Sequence, residues 1–204
     1  MIYMTWKDIK LATMQKMFSA DGTEIPADDS SKDYLAGMPY VANECLQMIC
    51  TSKKYIVKYV EVNSADGDQV GQYRRFRMKD LAEDFFEFYG EVYITSGNYH
   101  ERCAEYRSEA QDVVLVPLER EGVYTLFYRA YPPLITAATE DDYAFDGIPS
   151  DVLAILPLYM ASQLYKEDDN GIATSLRNEF EVAYERISQD NPSYILECED
   201  EGGW

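Results

Sequence analysis

Five runs of β-branched and aromatic residues, YIVKYVEV, RRFRM, EVYIT, DVVLV and VYTLFYRAY, fall between residues 55 and 137, with helically patterned segments on both sides. That placement predicts an α+β fold. Helices within 1–54 and 138–190 are expected to form a bundle core, the stretch 55–137 a β-rich subdomain inserted into it, and residues 191–204 an extended C-terminal arm. NSADGD and Ser96-Gly97-Asn98 carry turn chemistry, and PLEREG reads as a hairpin connection between the last two strands. KDLAEDFFEFYG is expected as a short helix or a loop that supports the sheet. The pattern leaves the strand order open.

Thr5 has the chemistry of a helix N-cap, and Asp8 can return the bond as in a capping box. Leu11, Met14 and Phe18 then follow the rhythm of one buried face, with Gly22 as the stop and ADGTEIPADDSSKD as a polar connection. A second helix is expected to run to about Cys50, with Met38, Ala42, Cys45 and Ile49 on its stripe and Pro39 in its first turn. Asn43 and Glu44 beside that stripe read as solvated or capping residues. Near the other end, Ser150 or Pro149 opens DVLAILPLYMASQLYKEDD, where Leu153, Leu156, Met160 and Leu164 align and Pro157 predicts a kink or a start near Leu156. After Asp168-Asp169-Asn170-Gly171, a last helix carries Ile172, Leu176, Phe180, Ala183 and Ile187. So short a turn predicts antiparallel packing of the two.

Charge narrows the function. The chain has 37 acidic and 18 basic side chains, a net charge of −19, which argues against binding duplex nucleic acid through phosphates. Its 18 Tyr are spread along the whole length, as suits half-buried surfaces where the ring packs and the hydroxyl stays wet. Cys45, Cys50, Cys103 and Cys198 have no zinc or C-x-x-C spacing and read as small core residues in a reducing compartment. MIYMTWKDIK lacks the basic-then-apolar pattern of a secretory signal, and no apolar run is long enough to span a membrane.

Candidate chemistry is sparse. His100, the single histidine, lies in GNYHERCAEYR with no evident nucleophile or orienting partner, and reads as a partly exposed structural residue. SADGDQVG lacks the ligand ladder of a calcium loop, and Glu140-Asp141-Asp142 and Glu167-Asp168-Asp169 read as solvated carboxylates beside helix ends. No catalytic, metal or cofactor site is expected. Arg74, Arg75 and Arg77 form a basic cluster suited to the protein's own excess acid or to a neighbouring subunit.

The segment from VYTLFYRAYPP through Pro157-Leu158-Tyr159-Met160-Ala161-Ser162-Gln163-Leu164-Tyr165, the Asp168-Asp169 turn and Asn178-Glu179-Phe180-Glu181 resembles the head–tail connector (adaptor) proteins of tailed bacteriophages. MPYVANECLQMI is similar to the early M-x-x-x-A-N-E-x-L helix of that group. The resemblance implies a non-enzymatic virion protein of the neck, assembled in the bacterial cytoplasm as a ring of about twelve copies. Its partners would be the portal protein, tail or tail-completion proteins and further copies of itself, with DNA only as transiting cargo. Such proteins commonly grip the portal with a C-terminal arm, and Tyr194, Ile195, Leu196 and Trp204 are the residues here that would make that contact. An acidic ring would repel DNA phosphates and let the duplex pass; the alternative is that acidity only aids solubility. Another neck or tail-completion protein is the nearest alternative function, and a small acidic hydrolase using paired carboxylates near His100 the one from a different class.

Overall fold

The computed structural model describes residues 4–18 and 29–188. Thr5 opens the first helix, α1 (Trp6–Phe18), with the expected reciprocal bonds. Its N–H donates to Asp8 Oδ2 at 2.8 Å, and the Asp8 N–H donates to Thr5 Oγ1 at 3.3 Å. The buried face of α1 is not the expected one. Trp6, Ile9, Thr13, Met14 and Met17 turn inward, while Leu11 is half-buried and Phe18 is 43% exposed. The helix is apolar on more than one side, and its anchor is the acidic loop before residue 150. Trp6 and Lys7 N–H groups donate to the carbonyls of Tyr143 and Asp141, both at 2.9 Å, and Trp6 packs edge-on against Phe145.

Helix α2 (Asp29–Cys50) begins inside the stretch expected as a polar connection, so Pro39 sits in its interior instead of its first turn. The expected stripe of Met38, Ala42, Cys45 and Ile49 is fully buried. Residues 19–28, with Gly22, lie outside the described residues.

The β region contains eight strands: β1 (Ile56–Asn63), β2 (Asp68–Val70), β3 (Tyr73–Arg77), β4 (Phe85–Ser96), β5 (Tyr99–Arg102), β6 (Arg107–Glu109), β7 (Val113–Pro117) and β8 (Val123–Ala130). A single helical turn, α3 (Met78–Leu81), precedes β4, so KDLAEDFFEFYG supplies both a helical turn and a strand. The strands pair antiparallel into two four-stranded sheets, ordered β1-β8-β4-β5 and β2-β3-β7-β6. The expected β7–β8 hairpin does not form, because PLEREG carries the chain from one sheet to the other. In β4 the register jumps between the pairs Phe88–Tyr128 and Val92–Leu126. Gly90, with φ of 87°, absorbs the extra residues, and the Tyr106 hydroxyl donates to its carbonyl at 2.5 Å. Gly97, φ 61°, is the first central residue of the two-residue β4–β5 turn.

Helix α4 (Ser150–Leu164) runs unbroken from the Pro149 N-cap with Pro157 inside it, so it does not begin near Leu156. Its residues Val152, Leu153, Ile155, Leu156, Tyr159, Met160 and Ala161 are buried on every side. A helix apolar all round is one that is enclosed, and α1, α2 and α5 (Asn170–Arg186) all pack on it. Asp169 caps α5 by accepting from the Gly171 and Ile172 N–H groups at 2.9 and 3.0 Å. The Tyr159–Phe180 contact at one end and the Ser162–Ala173 neighbourhood at the other make α4 and α5 antiparallel, as expected. Within α5, Ala173, Leu176 and Phe180 face inward and Ile172 is 42% exposed.

The helical-bundle core with an inserted β-rich subdomain is therefore corrected. Leu46 and Ile49 of α2, Leu156 and Met160 of α4 and Phe180 of α5 belong to one buried cluster with Val92 and Leu126 of the first sheet and Phe76 and Val114 of the second. Helices α1, α2 and α5 pack on α4, but their buried residues share one cluster with both sheets, so they are not a separate bundle core. The class is α+β, with helices and two antiparallel sheets sharing a core.

Candidate functional site

Strand alternation divides the first sheet into two faces. Tyr124, Leu126, Tyr128 and Ala130 of β8 point into the core, which turns Val123, Thr125, Phe127 and Arg129 outward. The pairing places Tyr59 of β1 opposite Phe127, Tyr93 of β4 opposite Thr125, and His100 of β5 opposite Thr95. Four rings thus cross all four strands on the outer face. Tyr59 and Phe127 have centroids 5.8 Å apart, Phe127 and Tyr93 5.8 Å, and Tyr93 and His100 5.3 Å with planes only 6° from parallel. Tyr59 is 60% exposed although its ring stands in a row. The His100 Nδ1 lies 2.8 Å from Thr95 Oγ1, which fixes the imidazole at the end of the row.

Beside the row, Arg129 is held between two tyrosines. Its guanidinium carbon lies 3.8 Å from the Tyr55 ring centre and 5.9 Å from that of Tyr89, and it pairs with Glu87. Burial raises the Tyr89 hydroxyl above its ordinary pKa, the Glu91 carboxylate adds to this, and Arg129 opposes it. Among the described residues, Arg129 Nε and Glu91 Oε2 are buried atoms without a hydrogen-bond partner. Native structures leave few such atoms, each with a cost. Part-exposed rings beside buried polar atoms that lack partners match the centre of a protein interface, where tyrosine and arginine dominate binding energy.

The basic cluster of the sequence is divided by the same alternation. Arg74 shares a face of β3 with buried Phe76; its Nη1 donates to the Gly67 carbonyl at 3.1 Å and its Nε is buried without a partner. It lines an open cleft of about 690 Å³ where the two sheets meet, beside Ser64, Thr95 and Gly122. Arg75 and Arg77 lie on the opposite, exposed face of the second sheet. Sequence proximity does not make these three side chains one site.

His100 is bonded to the Thr95 hydroxyl, and among the described residues no group of three or more His, Cys, Asp or Glu is placed to hold a metal. Three of the six carboxylates in the acidic runs have structural work: Asp141 pairs with Lys10, Asp168 accepts from the Tyr34 hydroxyl at 2.7 Å, and Asp169 caps α5. Cys45, Cys50 and Cys103 are buried free thiols. Burial pushes Cys50 up to about 12 and Cys45 higher still, so both stay protonated. No helix among the described residues is long and apolar enough to cross a membrane. Tyr194, Ile195, Leu196 and Trp204, with Cys198, lie outside the described residues.

Sequence reasoning missed the ring row because its members are far apart in the chain. The available signal was alternation within VYTLFYRAY and EVYIT, which puts Phe127 and Tyr93 on the faces opposite Leu126 and Ile94. Compared with known families and with curated proteins, the chain matches no family profile and no curated relative.

Proposed function

We infer that the protein is a structural assembly component, and that its setting is the neck of a tailed bacteriophage, as a head–tail connector that binds the portal and further copies of itself. The observation that carries the assembly reading is the row Tyr59–Phe127–Tyr93–His100 on an open sheet face, flanked by the buried, unpartnered atoms of Arg129 and Glu91. The phage setting rests on the sequence resemblance. Acidity at −19 per copy supports a channel that passes DNA without holding it.

Sedimentation of the full chain, alone and with a portal protein, tests this reading. A multimeric ring or a portal-bound species is the expected result. Tyr59→Ala should weaken that species about tenfold or more, since exposed aromatic anchors carry interface energy. A chain that stays monomeric with portal present, and is indifferent to Tyr59→Ala, would overturn it.

A further inference from the structure

On the exposed face of the second sheet three arginines, Arg75, Arg77 and Arg107, outnumber two carboxylates, Asp68 opposite Arg75 and Glu109 opposite Val113, although the protein as a whole is strongly acidic. Register places Leu115 of β7 between Arg75 of β3 and Arg107 of β6. Leu115 is 4% exposed yet stands apart from the core cluster, because it faces away from Val114 and Val116 and the two arginine stems cover it. Arg77 lies two residues along from Arg75 on the same face, and the Arg107 guanidinium leans over the Tyr73 ring at 4.8 Å. Arg75 meets Glu109 at 3.7 Å; no carboxylate among the described residues comes within ion-pair distance of Arg77 or Arg107.

We propose that this face receives the acidic C-terminal segment Glu197–Trp204 of a second copy of the chain. The proposal rests on the self-assembly half of the function above and is independent of the phage setting. Complementarity carries it. Glu197, Glu199 and Glu201 recur every second residue, and an extended peptide sets such residues about 6.6 Å apart on one side. Arg75 and Arg77 have the same period on β3. Guanidinium forks bind carboxylates in paired geometry, and Trp204 supplies an aromatic anchor beyond Gly202-Gly203. Face and tail are different surfaces, so the contact is head-to-tail, the kind that propagates around a ring.

Charge exchange in the full-length chain tests this by sedimentation velocity. Arg75→Glu with Arg77→Glu and Arg107→Glu, or Glu197→Lys with Glu199→Lys and Glu201→Lys, should each weaken self-association about tenfold or more. An equimolar mixture of the two variants, and the chain carrying both sets, should restore it. Raising the salt should weaken the parent contact. Self-association unaffected by either set, or lost without rescue in the mixture, would overturn the proposal. So would a parent chain that is monomeric while its tail is protected from proteolysis, since the tail would then lie on its own subunit. If a charge-reversed chain melts early, Arg77→Gln with Arg107→Gln and the matching glutamate-to-glutamine tail should each still weaken self-association, and their mixture should recover only the pairing of the acidic tail with the unaltered arginine face. Portal binding is read separately, so loss of the portal species alone leaves this contact standing.

Discussion

The Asn43 side chain completes the backbone of Ile135 as a neighbouring strand would: Asn43 Nδ2 donates to the Ile135 carbonyl at 2.7 Å, and the Ile135 N–H donates to Asn43 Oδ1 at 2.8 Å. One amide on α2 thus fixes the chain just after Pro132-Pro133, where β8 has ended and buried Ile135 must reach the core. Removing both partners' bonds at once should be costly. Asn43→Ala is expected to lower unfolding free energy by about 1–3 kcal/mol in urea titration, and Asn43→Asp, which sets a carboxylate oxygen against the Ile135 carbonyl, to be destabilising as well.

Leu156 of α4 and Phe180 of α5 are both fully buried. Leu156→Ala should cost about 2–5 kcal/mol and Phe180→Ala about 3–5 kcal/mol, since the enclosing helices cannot collapse into the space. Chemical denaturation of each variant checks this, with the Ile172→Ala change at an exposed position of α5 expected to stay within about 0.5 kcal/mol of the parent.

Acid should weaken the fold through two identifiable carboxylates. Backbone and hydroxyl bonds from Thr5 hold Asp8 below its usual 3.8. Burial pulls Asp84 up, but the bonds from Lys58 at 2.5 Å and Tyr128 at 2.9 Å outweigh it and hold that group low as well. A depressed folded-state value means stability that is complete above the unfolded value and is lost as pH falls through the folded one. The stability gap between the parent and Asp8→Ala, or Asp84→Ala, should therefore be steady near neutrality and shrink below about pH 3.8. A gap unchanged down to pH 2 would show that neither charge matters.

Three tyrosines should titrate late. The bond to Asp168 pushes Tyr34 up to about 12, and burial does the same for Tyr124 and Tyr128. Between the ordinary value of 10 and about 12 the folded chain keeps protons that the unfolded chain releases, so stability falls as pH rises through that window. Ultraviolet titration should show a late class, and Tyr34→Phe should remove one member of it.

What the sequence discloses follows the physics of each element. The five strands first read from it, β1, β3, β4, β7 and β8, carry strong alternation or apolar runs. The three missed, β2, β5 and β6, have three or four mostly exposed residues, too few to show a period. The first turn of α2, from Asp29, gives no apolar signal; Tyr34 on the next turn packs on Phe18 and Tyr165. The face of α1 was misread because apolar side chains lie on two of its sides, and only the loop carrying Tyr143 and Phe145 decides between them. As for the candidate site, composition shows that aromatic surface exists. Where it gathers depends on pairing register, which no local pattern specifies.

The enclosure of α4 also sets the order in which a nascent chain can fold. Helices α1 and α2 leave the ribosome with their apolar faces made, but the helix they pack against begins at Ser150, about a hundred residues after α2 ends at Cys50. At translation rates of about 5–20 residues per second, those faces wait on the order of 5–20 s for their partner. The sheets, whose strands all lie between residues 56 and 130, are synthesised in that interval and can pair first. Synthesis thus ends with the helices closing over β structure already in place, and a chain stalled before residue 150 would leave Ile9, Leu46 and Leu126 without their cover, a substrate for chaperones and proteases.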